Sequence, residues 1–82
     1  MDSKTRAMFK GKAQSLKVTL RAGKAGLTET LAKELDYQLK ENKLVKARIL
    51  KGDVEDIARK LAEAARAELV EVRGKTAVFW RK

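Results

Sequence analysis

The sequence predicts a mixed α/β (α+β) fold of order αβαβαββ, with three helices packed on a four-stranded mixed sheet. Three observations carry this expectation. Apolar residues recur at helical spacing in three separate segments, two short segments between them alternate, and two further alternating runs flank Gly74-Lys75. The 82 residues are expected to form one domain, residues 1–82, with a modest core, since a chain this small buries only about 60% of its unfolded surface.

In the first segment, Ser3 to Leu16, one helical stripe carries Phe9, Ala13 and Leu16, and Ser3 is placed to cap it. Arg6 and Lys10 stack one turn apart on its flank. Gly11 lies on the side away from the stripe and costs about 1 kcal/mol relative to alanine. Lys17 to Arg21 alternates, with Val18 and Leu20 on one face of a short strand. Thr28 then caps a second helix whose buried side is Leu31, Ala32, Leu35 and Leu39, leaving Lys33, Tyr37 and Lys40 opposite. Leu44 to Leu50 sets Val45, Ala47 and Ile49 against Lys46 and Arg48, a second strand. After a turn at Gly52-Asp53, Val54, Ile57, Ala58, Leu61, Ala62 and Ala65 form the clearest amphipathic series in the chain. Asp53 and Asp56 favour its start, the first as cap and the second as negative charge at the positive end of the helix dipole.

Glu68 to Arg73 and Thr76 to Arg81 form a hairpin around a two-residue Gly-X turn of the type II′ kind. The last strand is apolar on both faces, Ala77 and Phe79 on one and Val78 and Trp80 on the other. An element must therefore cover each side of it, and the first helix is the candidate for the second cover.

Several function classes lose their chemistry at the level of composition. The chain has no cysteine and no histidine, so it lacks thiolate chemistry and the commonest general base and metal ligand. Asp53, Glu55 and Asp56 read as an acidic first helical turn rather than a metal cluster. Gly74-Lys75-Thr76 resembles the end of a phosphate-binding P-loop, but that motif needs glycine where Leu69 stands and a helix afterwards. No enzyme and no cofactor is expected. The longest unbroken apolar run is Ala77-Val78-Phe79-Trp80, too short to cross a membrane, so the expected location is the cytoplasm and no membrane partner is expected.

The charge points elsewhere. The net charge is +9, and residues 1–26 carry seven bases against one acid, which is six of the nine excess charges in a third of the chain. Such a one-sided basic segment reads as a phosphate-facing patch, because each neutralised phosphate releases condensed counterions. Within it, Gly23-Lys24-Ala25-Gly26 joins a strand to a helix N-terminus. The loop offers backbone N–H groups, the positive end of a helix dipole and a lysine, with no Cβ at either glycine to block a sugar-phosphate backbone. A GxxG loop that clamps nucleotide backbone is the device of KH-type RNA binding. Of the four aromatics, Phe9 and Phe79 read as core, while Tyr37 and Trp80 are open to either packing or base stacking.

Taken together, Phe9-Lys10-Gly11, Leu16-Lys17, the run from Gly23 to Glu29, Leu44 to Ile49 and the run from Gly74 to Arg81 resemble the CRS1-YhbY family, the CRM domain, over nearly the whole length. The resemblance implies a fold similar to the C-terminal domain of translation initiation factor three. It also implies RNA binding, with precursor rRNA of the large ribosomal subunit as partner. It assigns backbone contact to Gly23 through Gly26 and supporting charge to Lys10 and Lys17. Val18 stands where the family commonly has proline, Arg66 stands where a glycine usually ends the third helix, and the segment from strand two to strand three is a few residues short.

The expected function is therefore non-enzymatic RNA binding in ribosome assembly, by a monomer. The expected site is Arg6, Lys10, Lys12, Lys17, Arg21, Gly23, Lys24, Ala25, Gly26 and Thr28. The alternatives are a dimeric DNA- or RNA-coating chromatin protein of the Alba type and a basic protein-interaction module that docks on an acidic partner.

Overall fold

The computed structural model describes residues 2–23 and 28–81. Its elements follow the expected order: α1 (Ser3–Ala13), β1 (Val18–Ala22), α2 (Glu29–Glu41), β2 (Leu44–Ile49), α3 (Val54–Ala64), β3 (Glu68–Arg73) and β4 (Thr76–Trp80). The sheet runs β1-β2-β4-β3, with β1 parallel to β2 and the other neighbours antiparallel. The last strand thus inserts between β2 and β3. That central position is why β4 needs apolar residues on both faces.

The two faces are covered by different helices. Ala77 and Phe79 join Leu20, Val45, Ile49 and the buried sides of α2 and α3 in the larger core. On the other face, Val78 and Val70 meet Ala13 of α1, with Phe9, Leu44 and Trp80 packed around them. The Phe9 and Trp80 rings lie 5.1 Å apart at 31°, a favourable aromatic contact. Trp80 is consequently half-buried against helix α1, whereas Tyr37 stands 61% exposed on α2.

Two helix ends differ from expectation or explain a departure. Asp2, not Ser3, caps α1: its carboxylate accepts the Thr5 N–H at 2.7 Å, which also holds that carboxyl below its ordinary value. An aspartate one position earlier lets the helix begin at Ser3. The same helix stops at Ala13, and Leu16 closes it through a turn in which its N–H bonds the Ala13 carbonyl. Helix α3 ends in a full Schellman arrangement, with Ala67 N–H on the Ala62 carbonyl at 2.7 Å and Arg66 N–H on the Glu63 carbonyl at 3.2 Å. Arg66 therefore takes φ 55°. Glycine belongs at such a position, because left-handed backbone costs an L-residue roughly 1–2 kcal/mol. Glycine's greater freedom in the unfolded chain offsets part of this, so Arg66→Gly is expected to stabilise by about 0.5–1 kcal/mol. Thermal unfolding should show this as a midpoint rise of roughly 2–8 °C.

Both edge strands carry a bulge, and each bulge is tied down by a helix side chain. In β3 the register shifts between Leu69 and Glu71, which puts Leu69 and Val72 toward the larger core and Val70 toward α1. Arg6 of α1 donates to the Leu69 and Val70 carbonyls at 2.9 and 3.0 Å. In β1 the shift lies between Val18 and Leu20, and Gln38 of α2 donates to the Thr19 carbonyl at 2.9 Å while accepting the Thr19 hydroxyl at 2.6 Å. Bulged and capped edges are poor templates for a further strand. The hairpin turn has its positive φ at Gly74 (58°) and none at Lys75, the pattern a II′ turn requires.

Arg81, just past β4, braces the larger core from its end. Its guanidinium donates to the Asp36 carboxylate at 2.5 Å, to the Asp36 carbonyl at 3.1 Å and to the Ala65 carbonyl at 2.8 Å. The Arg81 hydrogen bond holds the Asp36 carboxyl below its ordinary value of 3.8. The stability this supplies is present above pH 3.8 and is lost as the pH falls through the lowered folded value.

Candidate nucleic-acid interface

Gripping phosphate requires cations that are not already consumed inside the protein. The sheet separates the charges into two layers. Every ion pair among the described residues lies on the α2 and α3 side: Lys33–Glu29, Lys40–Asp36, Arg59–Glu55, Lys60–Asp56 and Arg81–Asp36. The acidic start of α3 is used in this way, with Asp53 accepting the Asp56 N–H as cap. On the α1 side, the cations of α1 and of the outward positions of the sheet form no ion pair with a described residue.

Helix α1 covers only part of its sheet face. It packs over Val70, Val78, Leu44 and Trp80, near the end where β4 finishes. Lys46 donates to the Ala13 carbonyl at 3.5 Å at the helix C-terminus, where a cation offsets the negative end of the dipole. Beyond that point the face is open, in a shallow depression lined by Ala13, Gln14, Lys46, Glu71, Arg73, Thr76 and Val78. One row farther toward the hairpin tip, the strand registers pair Arg21 with Arg48, Arg48 with Thr76 and Thr76 with Arg73. Three arginines thus stand in a single cross-strand row, all exposed. The neighbouring residues Leu20, Ala22, Ala47 and Ile49 point into the larger core, which fixes Arg21 and Arg48 on the open face.

The residues expected from the sequence distribute unevenly around this feature. Arg21 belongs to the row, and Gly23 follows it at the same end of β1. Thr28 caps α2, accepting the Leu31 N–H at 3.1 Å. Lys24, Ala25 and Gly26 lie outside the described residues. At Gly23, φ is not in the left-handed region, and a Cβ would meet nothing within 4 Å among the described residues. Arg6 and Lys10 face the β3 edge, where they line a depression with Glu55 and residues 69–72, and Arg6 is half-buried on its two carbonyls. The Lys12 ammonium lies 6.0 Å from the Phe9 ring centroid. Lys17 precedes β1 at the end opposite Gly23. Charge density along the chain does not single out Lys46, Arg48 or Arg73. The signal for them is the parity of their strands combined with a strand order that no local pattern encodes.

An α+β domain whose ion pairs, among the described residues, all sit on one layer, and whose opposite sheet face carries cations without ion pairs next to a glycine-bearing strand end, defines a class that comparison with known proteins makes specific. The chain belongs to the CRS1 / YhbY (CRM) domain family, whose model matches residues 1–81. It is similar to a Methanocaldococcus jannaschii protein named "Probable RNA-binding protein MJ0652", 37% identical over 86 residues, which cover 99% of this chain and 63% of that protein. It is also similar to "Probable RNA-binding protein YqeI" of Bacillus subtilis, 26% identical over 85 residues, covering 100% of this chain and 88% of that one. The chain therefore spans less than two thirds of the archaeal relative's length. Its fold matches the solution structure of a Staphylococcus aureus protein described as "a putative RNA binding protein", with a TM-score of 0.88 and 28% identity, over 100% of this chain and 88% of that one.

No helix among the described residues is long and apolar enough to cross a membrane.

Proposed function

We propose that this chain is a non-enzymatic RNA-binding protein that acts in assembly of the large ribosomal subunit, gripping precursor rRNA by its backbone. The observation that carries the reading is the segregation of charge: the α2 and α3 layer neutralises itself with ion pairs, and the α1 layer leaves its cations for an external anion. The family and the names of its relatives support RNA as that anion. The glycine loop from Gly23 to Gly26, followed by the Thr28-capped start of α2, is the proposed clamp. Glycine at 23 is required neither by a positive φ nor by packing within the described residues, which is consistent with close approach from outside the chain. Lys24, Lys10, Lys12, Lys17 and Arg21 supply long-range attraction, and Arg6 contributes mainly by fixing α1 to the sheet. The capped, bulged sheet edges favour a monomer, and a cytoplasmic location follows from an rRNA partner.

Crosslinking the protein to cellular RNA, with Lys24→Glu in parallel, tests this reading. Large-subunit rRNA precursor should be enriched with the wild-type chain and fall by about tenfold or more in the variant, since reversing one phosphate-facing charge in a loop removes one contact and adds a repulsive one. The thermal midpoint should stay within about 2 °C if Lys24 serves binding and not folding. Equal recovery of assorted nucleic acid by both proteins would refute the loop as the site.

A further inference from the structure

The guanidinium groups of the arginine row have no charge partner within the fold: Arg21, Arg48 and Arg73 form no ion pair among the described residues, and Arg21 and Arg48 are direct neighbours on adjacent strands. Like charges placed opposite one another on a sheet disfavour it. The nearest acid on the same face, Glu71, sits one row away opposite Val78. With strands about 4.8 Å apart, the four-strand row spans roughly 14 Å. On β1 it lies two residues from Gly23, and in its middle Thr76 donates its hydroxyl to the Arg73 carbonyl at 2.8 Å, inside the row itself.

We infer that this row is a second phosphate-binding subsite, distinct from the glycine loop, over which the backbone of a single RNA strand crosses the open end of the sheet. The inference rests on the RNA-binding reading above and adds residues that neither the loop nor the basic first segment includes: Arg48 and Arg73. Guanidinium groups present paired N–H donors that match phosphate oxygens. The subsite reads backbone and not bases, because no aromatic side chain lies in the row or beside it. Trp80 and Phe9 are engaged with each other under α1, and Tyr37 projects from α2, in the layer on the far side of the sheet. Sheet platforms that recognise bases use exposed aromatics for stacking. This one substitutes a line of charge.

The test uses the full chain, short oligouridylate and oligoadenylate as probes, and two charge-matched triple variants. One variant is Arg21→Gln with Arg48→Gln and Arg73→Gln. The other is Lys33→Gln with Arg59→Gln and Lys60→Gln, on the opposite layer. The row variant is expected to bind both probes about tenfold or more weakly, and the slope of log affinity against log salt should become shallower by about 2, from three lost phosphate contacts at about 0.7 each. The control variant should stay within about twofold and keep the wild-type slope. Wild-type protein should bind the two probes with closely similar affinity. The three single arginine variants, each with a reduced share of the same slope, carry the test if the triple variant does not fold. If wild-type protein binds RNA and the row and control variants lose affinity equally, the binding follows net charge and the subsite is refuted while the RNA-binding reading stands. If wild-type protein binds neither probe at about 50 mM salt, both fall together.

Discussion

Replacing Phe79 by alanine is expected to cost about 3–5 kcal/mol, a large share of the roughly 5–15 kcal/mol available to a domain. Phe79 is fully buried at the middle of the sheet, with Val45 on one neighbouring strand and Leu69 on the other. It faces the layer where α2 and α3 pack, among Leu35, Ile49 and Leu61, which are also fully buried. Neighbours held on three elements have little freedom to close over the vacated volume, so the cavity term adds to the lost transfer free energy. Denaturant unfolding followed by circular dichroism measures the cost. A loss below about 1 kcal/mol, the range of a substitution that vacates no packed volume, would contradict this packing.

Trp80→Ala, one residue farther along the same strand, should act on the opposite layer. Its indole is half-buried, stacked on Phe9 and beside Leu44 in the smaller core. The expected cost is about 2–3 kcal/mol, below that of a fully enclosed aromatic. The distribution of the effect is more diagnostic than its size. Only Phe9 and Ala13 of α1 pack in that small core, so removal of the indole should release this helix first. Hydrogen exchange should show amides 6–13 losing protection well before those of α3. Uniform loss across both helices would mean that α1 belongs to the same cooperative unit as the larger core. Because α1 bounds the open half of the sheet face, its release should also weaken RNA binding.

The two layers were unequally legible in the sequence. The α3 stripe, the Gly74-Lys75 turn and the two-faced β4 are local patterns, and each predicts its element because burial and turn geometry leave one solution. The apolar alternation on both faces of β4 even implied α1 as the second cover. Less legible was whatever depends on a neighbouring strand. The bulges in β1 and β3 arise from pairing, so strict alternation would have put Val70 and Val72 on one face. Instead they face opposite cores. Arg6 looked like a free cation because its acceptors, the Leu69 and Val70 carbonyls, are more than sixty residues away. Arg81 is engaged on Asp36 and Ala65 for the same long-range reason. The cap at Asp2 in place of Ser3 is a one-residue shift of the kind that competing cap residues produce.

The arginine row was hidden by the same limitation. Arg21, Arg48 and Arg73 are spread across three strands, and each alone is an ordinary outward-facing residue. Insertion of β4 between β2 and β3 brings them into one line. With Gly23 at the same end of the sheet, the row sets three cations without ion pairs among the described residues on the face that the charge-paired helices do not cover.

In the proposed interface RNA lies across the end of the sheet marked by Gly23, on the α1 side. Amide chemical-shift mapping by NMR, titrating an RNA oligonucleotide into the labelled chain, addresses it most directly. The largest changes are expected at residues 21–28, at Arg48 and from Arg73 to Thr76, with the outer faces of α2 and α3 silent. Changes centred on α3, or spread evenly over every lysine and arginine, would contradict it.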